Sequence, residues 1–218
     1  FPDKLVDSEL GEIPEGWELS IIGEKADTLL GGTPSRKEDS YWDGDVPWIN
    51  SGKANEFRII EPSEYITLTG LHSSSTKLLP SRTTVIAITG ATLGQVSLTE
   101  ISTCANQSIV GVLGNKLLPS EYLYFWIREN IDELLASKTG GAQQHINKNN
   151  VNDLSVICPS PAVVDTYLRF SKPVFDRIRT NCFECKVLSV LRDTLLPKLI
   201  SGELRVNDAE KFLSKAGV

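Results

Sequence analysis

The 218 residues contain no methionine, two histidines and four cysteines, and each scarcity closes a class of function. His72 and His145 lie far apart, neither in an HExxH or comparable pattern, so a histidine-rich metal centre is not expected. Cys104, Cys158, Cys182 and Cys185 are too few for a disulfide framework in a chain of this length. Cys182-Phe-Glu-Cys185 is a lone CxxC in a helical pattern, without the second pair of a zinc ribbon or the preceding strand of a redox motif. Reduced thiols, and with them a cytoplasmic location, are the expectation. No apolar run approaches the ~20 residues that a membrane helix requires. The opening segment, Phe1 to Trp17, is acidic and broken by Pro and Gly, unlike a secretory leader.

A basic excess is also missing. With 22 basic and 28 acidic residues the net charge is -6, which by itself argues against neutralising phosphates. The distribution tells more than the sum. Residues 1–27 hold eight acids against Lys4 and Lys25, whereas Glu100 is the one acid between Tyr65 and Ser120, and Leu134 to Asn152 has none. Residues 161–206 carry eight bases and five acids.

Cofactor motifs are absent as well. Gly52-Lys53 runs into Ala54 without the glycine spacing of a phosphate-binding loop, and Gly90-Ala91-Thr92-Leu93-Gly94 lacks GxGxxG spacing. No GxSxG elbow supports a Ser/His/Asp hydrolase, and Asp43 and Asp45 lie in a turn. No metal, no bound cofactor and no catalysis by the chain alone are expected.

The organisation reads as α+β, a mixed strand-rich domain followed by a long C-terminal helix that pairs as an antiparallel coiled coil. Short β-branched runs at Val46–Asn50, Glu64–Leu68, Thr84–Thr89, Gln95–Leu98 and Ile109–Leu113, bounded by Gly or Pro, predict strands. The uninterrupted apolar run Val85–Ile88 predicts a strand buried on both faces. The residues before Trp17 predict an extended, turn-rich entry. Leu123, Ile127, Ile131, Leu134 and Leu135 predict a helix with Ser120 as its cap. Asn147 to Asp153 predicts one helical turn, followed by a strand over Leu154–Cys158.

From Ser160, a cap with Pro161 at the first helical position, the residues Val164, Leu168, Phe175, Ile178, Leu188, Leu191 and Leu195 fall on one helical stripe that also takes in Cys182, Cys185 and Leu199. Pro173 and Pro197 are expected to kink or interrupt it, and its stripe is expected to meet a partner helix. The boundaries that follow are a domain over 1–160, a helical region over 161–206 and a tail over 207–218.

Three polar loops remain: residues 31–37, residues 89–95 with 106–108, and residues 138–150. The third holds two Gln, three Asn, His145 and two Lys without an acid. Amide side chains pair with base edges and lysines hold phosphates. Turn and cap chemistry explains the same composition equally well.

Seven motifs decide between these readings. They are Gly11-Glu12-Ile13-Pro14-Glu15-Gly16-Trp17-Glu18, Gly31-Gly32-Thr33-Pro34-Ser35, Val46-Pro47-Trp48-Ile49-Asn50, Gly90-Ala91-Thr92-Leu93-Gly94-Gln95-Val96, Asn106-Gln107-Ser108, Gly140-Gly141-Ala142-Gln143-Gln144, and the stretch from Leu191 to Leu204. In this order they resemble the specificity (S, HsdS) subunit of type I restriction–modification enzymes. The resemblance implies one target recognition domain and one conserved helix, half of the usual layout, so that the chain reads as a natural half-subunit or a piece of a longer one.

It further implies a non-catalytic subunit that binds double-stranded DNA and reads one half of a split site. Its helix sets the spacing and docks the methyltransferase (M) subunits and, through the complex, the restriction (R) subunits. S-adenosylmethionine, ATP and Mg are expected on those partners. A homodimer, or pairing with a second half-subunit, supplies the other half-site. The residues expected at DNA are Thr33, Ser35, Arg36, Lys37, Lys53, Arg58, Lys77, Arg82, Thr92, Gln107, Gln143, Gln144, His145 and Lys148. The rival expectation is a helix-presenting interaction module or inhibitor with degenerate DNA binding. The acidic start, and Thr89 where relatives often carry an arginine, speak for that rival.

Overall fold

The computed structural model describes residues 4–136 and 146–205. They fall into two compact units, divided after Phe175. The core of the first unit is a four-stranded sheet in the order β4 (Thr28–Leu30), β10 (Ile109–Val112), β7 (Thr84–Ala87), β8 (Val96–Leu98), antiparallel throughout. The two central strands are buried along their whole length, as the uninterrupted apolar run Val85–Ile88 predicts for a sheet covered on both faces. Alternation divides their side chains between two cores. Ile86, Val110 and Val112 pack with Leu123 and Ile127 of helix α3 (Ser120–Ala136), together with Val151 and Val156. Val85 and Ile109 face the other way, onto Ile49, Ile59, Leu79 and Ala105.

A second sheet carries Ile49 and Ala105, in the order β6 (Glu64–Ile66), β5 (Trp42–Ile49), β9 (Cys104–Ala105), with β5 and β9 parallel. Strand β5 bulges where Trp42 and Val46 both face Ile66. The bulge needs Asp43 at φ 59° and Gly44, where a Cβ would stand 2.6 Å from the Thr67 Cα. Two further pairs complete the strands: β3 (Glu18–Ile21) with β11 (Ser155–Cys158), and the hairpin β1 (Leu5–Ser8) with β2 (Gly11–Pro14). The expected turn-rich entry is therefore a hairpin, turned by Gly11 at φ 92° and by Ser8, whose Oγ donates to the Gly11 carbonyl at 2.6 Å.

Short helices fill the connections: α1 (Ile22–Lys25), α2 (Leu68–His72) and α4 (Lys148–Asn152). The Thr67 hydroxyl caps α2, and Asn147 and Asn150 form a reciprocal capping box on α4. Ser120 stands at the first position of α3 rather than capping it, and the Pro119 carbonyl accepts from Leu123 N–H at 2.9 Å.

Helix α5 runs from Pro161 to Ile200 without interruption at Pro173 or Pro197. Both prolines are exposed, so the carbonyls they leave unpaired one turn back can be solvated. Its first fifteen residues belong to the first unit. Tyr167 donates its hydroxyl to the Glu121 carbonyl at 3.0 Å, and the Phe175 ring meets Tyr124 and Phe125 edge-on. Val164 and Phe175 are buried there, which corrects their expected place in a seam with a partner helix. In the second unit Leu188, Leu191 and Leu195 are exposed, and Ile178 is half-buried. No helix among the described residues is long and apolar enough to cross a membrane.

Candidate nucleic-acid interface

Strand directions bring the polar loops together. Residues 31–37 leave the end of β4, residues 88–95 connect the end of β7 to the start of β8, and residues 106–108 lead into β10. In this antiparallel register all three sit at one end of the four-stranded sheet. Gly31 N–H donates to the Ile109 carbonyl at 3.0 Å and Gly32 N–H to the Ala105 carbonyl at 2.8 Å. A Cβ on Gly31 would lie 2.1 Å from the Asn106 oxygen, so only glycine permits this approach. The Thr33 hydroxyl donates to Gln107 Oε1, and the Thr89 hydroxyl donates to Ser108 Oγ at 2.7 Å. The third loop joins the same end where Ile146 N–H donates to the Ile88 carbonyl at 3.1 Å. Lys148 opens α4 two residues later.

Two indoles pin the first loop. Trp48 Nε1 donates to the Gly32 carbonyl and Trp42 Nε1 to the Ser35 carbonyl, each at 3.1 Å. The two rings meet edge-on. The Arg36 guanidinium lies 3.5 Å from the centre of the Trp42 ring and donates from Nη2 to Glu64 Oε1 at 3.0 Å. That hydrogen bond holds the Glu64 carboxyl below its ordinary range. Trp42, Trp48 and Glu64 were not among the expected site residues. The Val46–Asn50 motif, which contains Trp48, was the signal for it in the sequence.

The expected residues thus divide. Thr33, Ser35, Arg36, Lys37, Thr92, Gln107 and Lys148 are brought to one end of the sheet, and Lys77, exposed, follows the Ser75–Thr76 backbone that packs on Gly32. Lys53 is tied to Glu56 at 2.7 Å and lies 3.7 Å from Glu61. Arg58 and Arg82 sit at the opposite end of the sheet, where Ile59 N–H bonds the Leu98 carbonyl and Arg82 N–H the Thr99 carbonyl. Arg58 is 5% exposed, and its Nε lies 3.4 Å from the buried Glu100. Arg82 Nε is 3.1 Å from the same carboxylate. Arg58 is thereby corrected from a phosphate contact to an interior charge, since a guanidinium held in a buried pair cannot reach a backbone outside, whereas Arg82 keeps 19% of its side chain exposed. Gln143, Gln144 and His145 lie outside the described residues.

The chemistry available at the loop end is hydrogen bonding and charge. Among the described residues no group of three or more His, Cys, Asp and Glu is placed to hold a metal. Burial pushes the thiols of Cys104 and Cys158 up, away from thiolate reactivity.

Comparison with known proteins bears on the fold and the family. The chain is 26% identical over 213 residues to the HindI specificity subunit of Haemophilus influenzae, covering 94% of this chain and 46% of that protein. It is 24% identical over 202 residues to the MjaIX specificity subunit of Methanocaldococcus jannaschii, covering 90% and 46%. The chain therefore spans about half the length of the curated relatives it matches. Among solved structures, the HsdS subunit from Thermoanaerobacter tengcongensis superposes with a TM-score of 0.57 at 17% identity, over 90% of this chain and 48% of that one. The type I S subunit from M. genitalium gives 0.56 at 19% identity, over 92% and 48%. The family model described as the type I restriction modification DNA specificity domain matches residues 14–163, and the chain belongs to that family.

Proposed function

We propose that this chain is a DNA-recognition subunit of a type I restriction–modification system, reading one half of a split duplex site with the loop end of its four-stranded sheet. The observation that carries the reading is the convergence there of loops that contain no acid, 31–37, 89–95 and 106–108, in a chain whose net charge is -6. Lys37, Lys77 and Lys148 supply phosphate contacts, and Arg36 does so from its perch on Trp42. Thr33, Ser35, Thr92 and Gln107 face the base edges, joined by Gln143, Gln144 and His145 as the sequence implies. Phosphate contacts position and amide contacts specify. The chain itself performs no chemistry and binds no cofactor. S-adenosylmethionine, ATP and Mg belong to the methyltransferase and restriction subunits that it joins in the cytoplasm.

Co-expression with its methyltransferase subunit, followed by mapping of methylated bases across the host genome, tests the reading. A bipartite motif is the expected result, and no new methylation overturns it. Lys37→Ala should weaken binding to all sequences alike and lower the salt slope by about one. Gln107→Ala should instead relax the preferred sequence, by about 1–3 kcal/mol of lost discrimination if its contact is bidentate. Equal loss on all sequences from both variants would make Gln107 a positioning residue only.

A further inference from the structure

The loops that converge at one end of the sheet, 31–37, 89–95 and 106–108, contain no acid, and Arg36 is their one arginine. Yet that arginine already holds an anion. Strand β6 brings Glu64 to it, with Glu64 opposite Trp48 in the register and Tyr65 opposite Pro47. Alternation sends Tyr65 outward and puts Glu64 on the face of the buried Ile66, at the rim of the cluster that Ile66 forms with Trp48, Trp42 and Val46. An apolar rim offers a carboxylate nothing by itself. What Glu64 meets there is the guanidinium fork: Arg36 donates from Nη1 to Oε2 and from Nη2 to Oε1, the second at 3.0 Å. The Trp42 ring lies 3.5 Å from the guanidinium, and that indole is itself tied to the Ser35 carbonyl.

We propose that Glu64 stands in for a DNA phosphate: it holds the Arg36 fork in the free protein, yields it to the backbone on binding, and so restrains the affinity of the loop end for duplexes of any sequence. The inference rests on the reading of that end as the DNA face. Its basis is that a guanidinium fork meets carboxylate and phosphate with the same pair of parallel hydrogen bonds. Exchange therefore keeps the bonds of Arg36 while the carboxylate returns to water. The pair is open to such exchange, with 53% of the Arg36 side chain and 41% of the Glu64 side chain exposed, and exposed pairs are weak. Trp42 keeps the guanidinium in place while its partner changes, because the ring takes the face of the cation and the anion its edge. The restraint acts on all duplexes alike, so base contacts carry a larger share of the binding free energy.

The test is a double-mutant cycle over Arg36→Ala and Glu64→Gln, in the full chain complexed with its methyltransferase, on a labelled duplex of arbitrary sequence across a salt series. Glu64→Gln keeps the size of the side chain and an acceptor oxygen but not the charge. It should tighten binding about two- to fivefold, as much as an exposed pair can withhold. It should also steepen the salt slope by up to about one, because no freed carboxylate gathers a cation as the phosphate releases one. On the Arg36→Ala background the same change should leave affinity and slope nearly unaltered. A carboxylate that only repels DNA through space would give an equal gain on both backgrounds, and that result overturns the inference. Unchanged or weaker binding by Glu64→Gln with Arg36 present also overturns it, and leaves the pair a structural support of the loop. If neither Arg36→Ala nor Lys37→Ala alters affinity or slope, DNA lies elsewhere on the chain, and the reading of the loop end falls together with the inference.

Discussion

Glu100 and Arg36 each sit in an ion pair, but solvent separates the consequences of removing them. Glu100 is fully buried between two arginines, so Glu100→Ala leaves the buried Arg58 guanidinium uncompensated and should cost about 3–5 kcal/mol in urea unfolding. Arg36 and Glu64 are each about half exposed, and Arg36→Ala should cost about 1 kcal/mol or less, ion pair and indole contact together. That smaller difference is also pH-dependent. The Glu64 carboxyl titrates below its ordinary value of 4.5 in the folded chain, so the pair stabilises fully above that value and is lost as pH falls through the lowered one. The difference between wild type and Arg36→Ala in unfolding curves should therefore be full at pH 7 and shrink as the pH falls below 4.5. Charge type at these positions was legible in the sequence, and its direction was not. Arg58 looks the same in a string as Lys37, and only pairing with Glu100, the one acid between Tyr65 and Ser120, turned it inward.

At the scale of elements, legibility followed length and periodicity. β7, β10 and α3 each bury a run or stripe that a window of residues reveals, and α5 carries a stripe of the same spacing. β4 and β9 have three and two residues and exist because a distant strand supplies their partners, which no local pattern records. Pro173 and Pro197 misled for a related reason: the cost of a helical proline falls where the orphaned carbonyl faces water, and exposure is a property of the fold. The single turn of α4 was read from its asparagines, because Asn147 and Asn150 satisfy each other's backbone N–H groups. Asn147→Ala should cost about 1 kcal/mol. Amide hydrogen exchange should speed first at Lys148 to Val151, since the cap satisfies the N–H groups that a five-residue helix cannot bond within itself.

Among the described residues of the second unit, helix α5 carries an exposed apolar surface. In the second unit Leu188 is 63% exposed, Leu191 49% and Leu195 40%, on a helix whose earlier stripe residues, Val164 and Phe175, are buried in the first unit. Water in contact with such a stripe costs about 25 cal/mol per Å2, which favours association over a free helix. One reading unit also cannot read both halves of a split site, and the chain spans 46% of the relatives it matches. A second copy placed antiparallel meets both demands at once, because a twofold interface lets one patch satisfy itself. The DNA target would then be an inverted repeat. The expected outcome is a homodimer in sedimentation equilibrium at micromolar concentration. Ile178→Asp with Leu188→Asp should yield monomers whose circular dichroism and unfolding midpoint for the first unit are unchanged, since neither residue belongs to it. A monomeric wild type would assign the stripe to another chain, either a different half-subunit or the methyltransferase. Binding of the wild type, but not of the double variant, to the purified methyltransferase would then identify which.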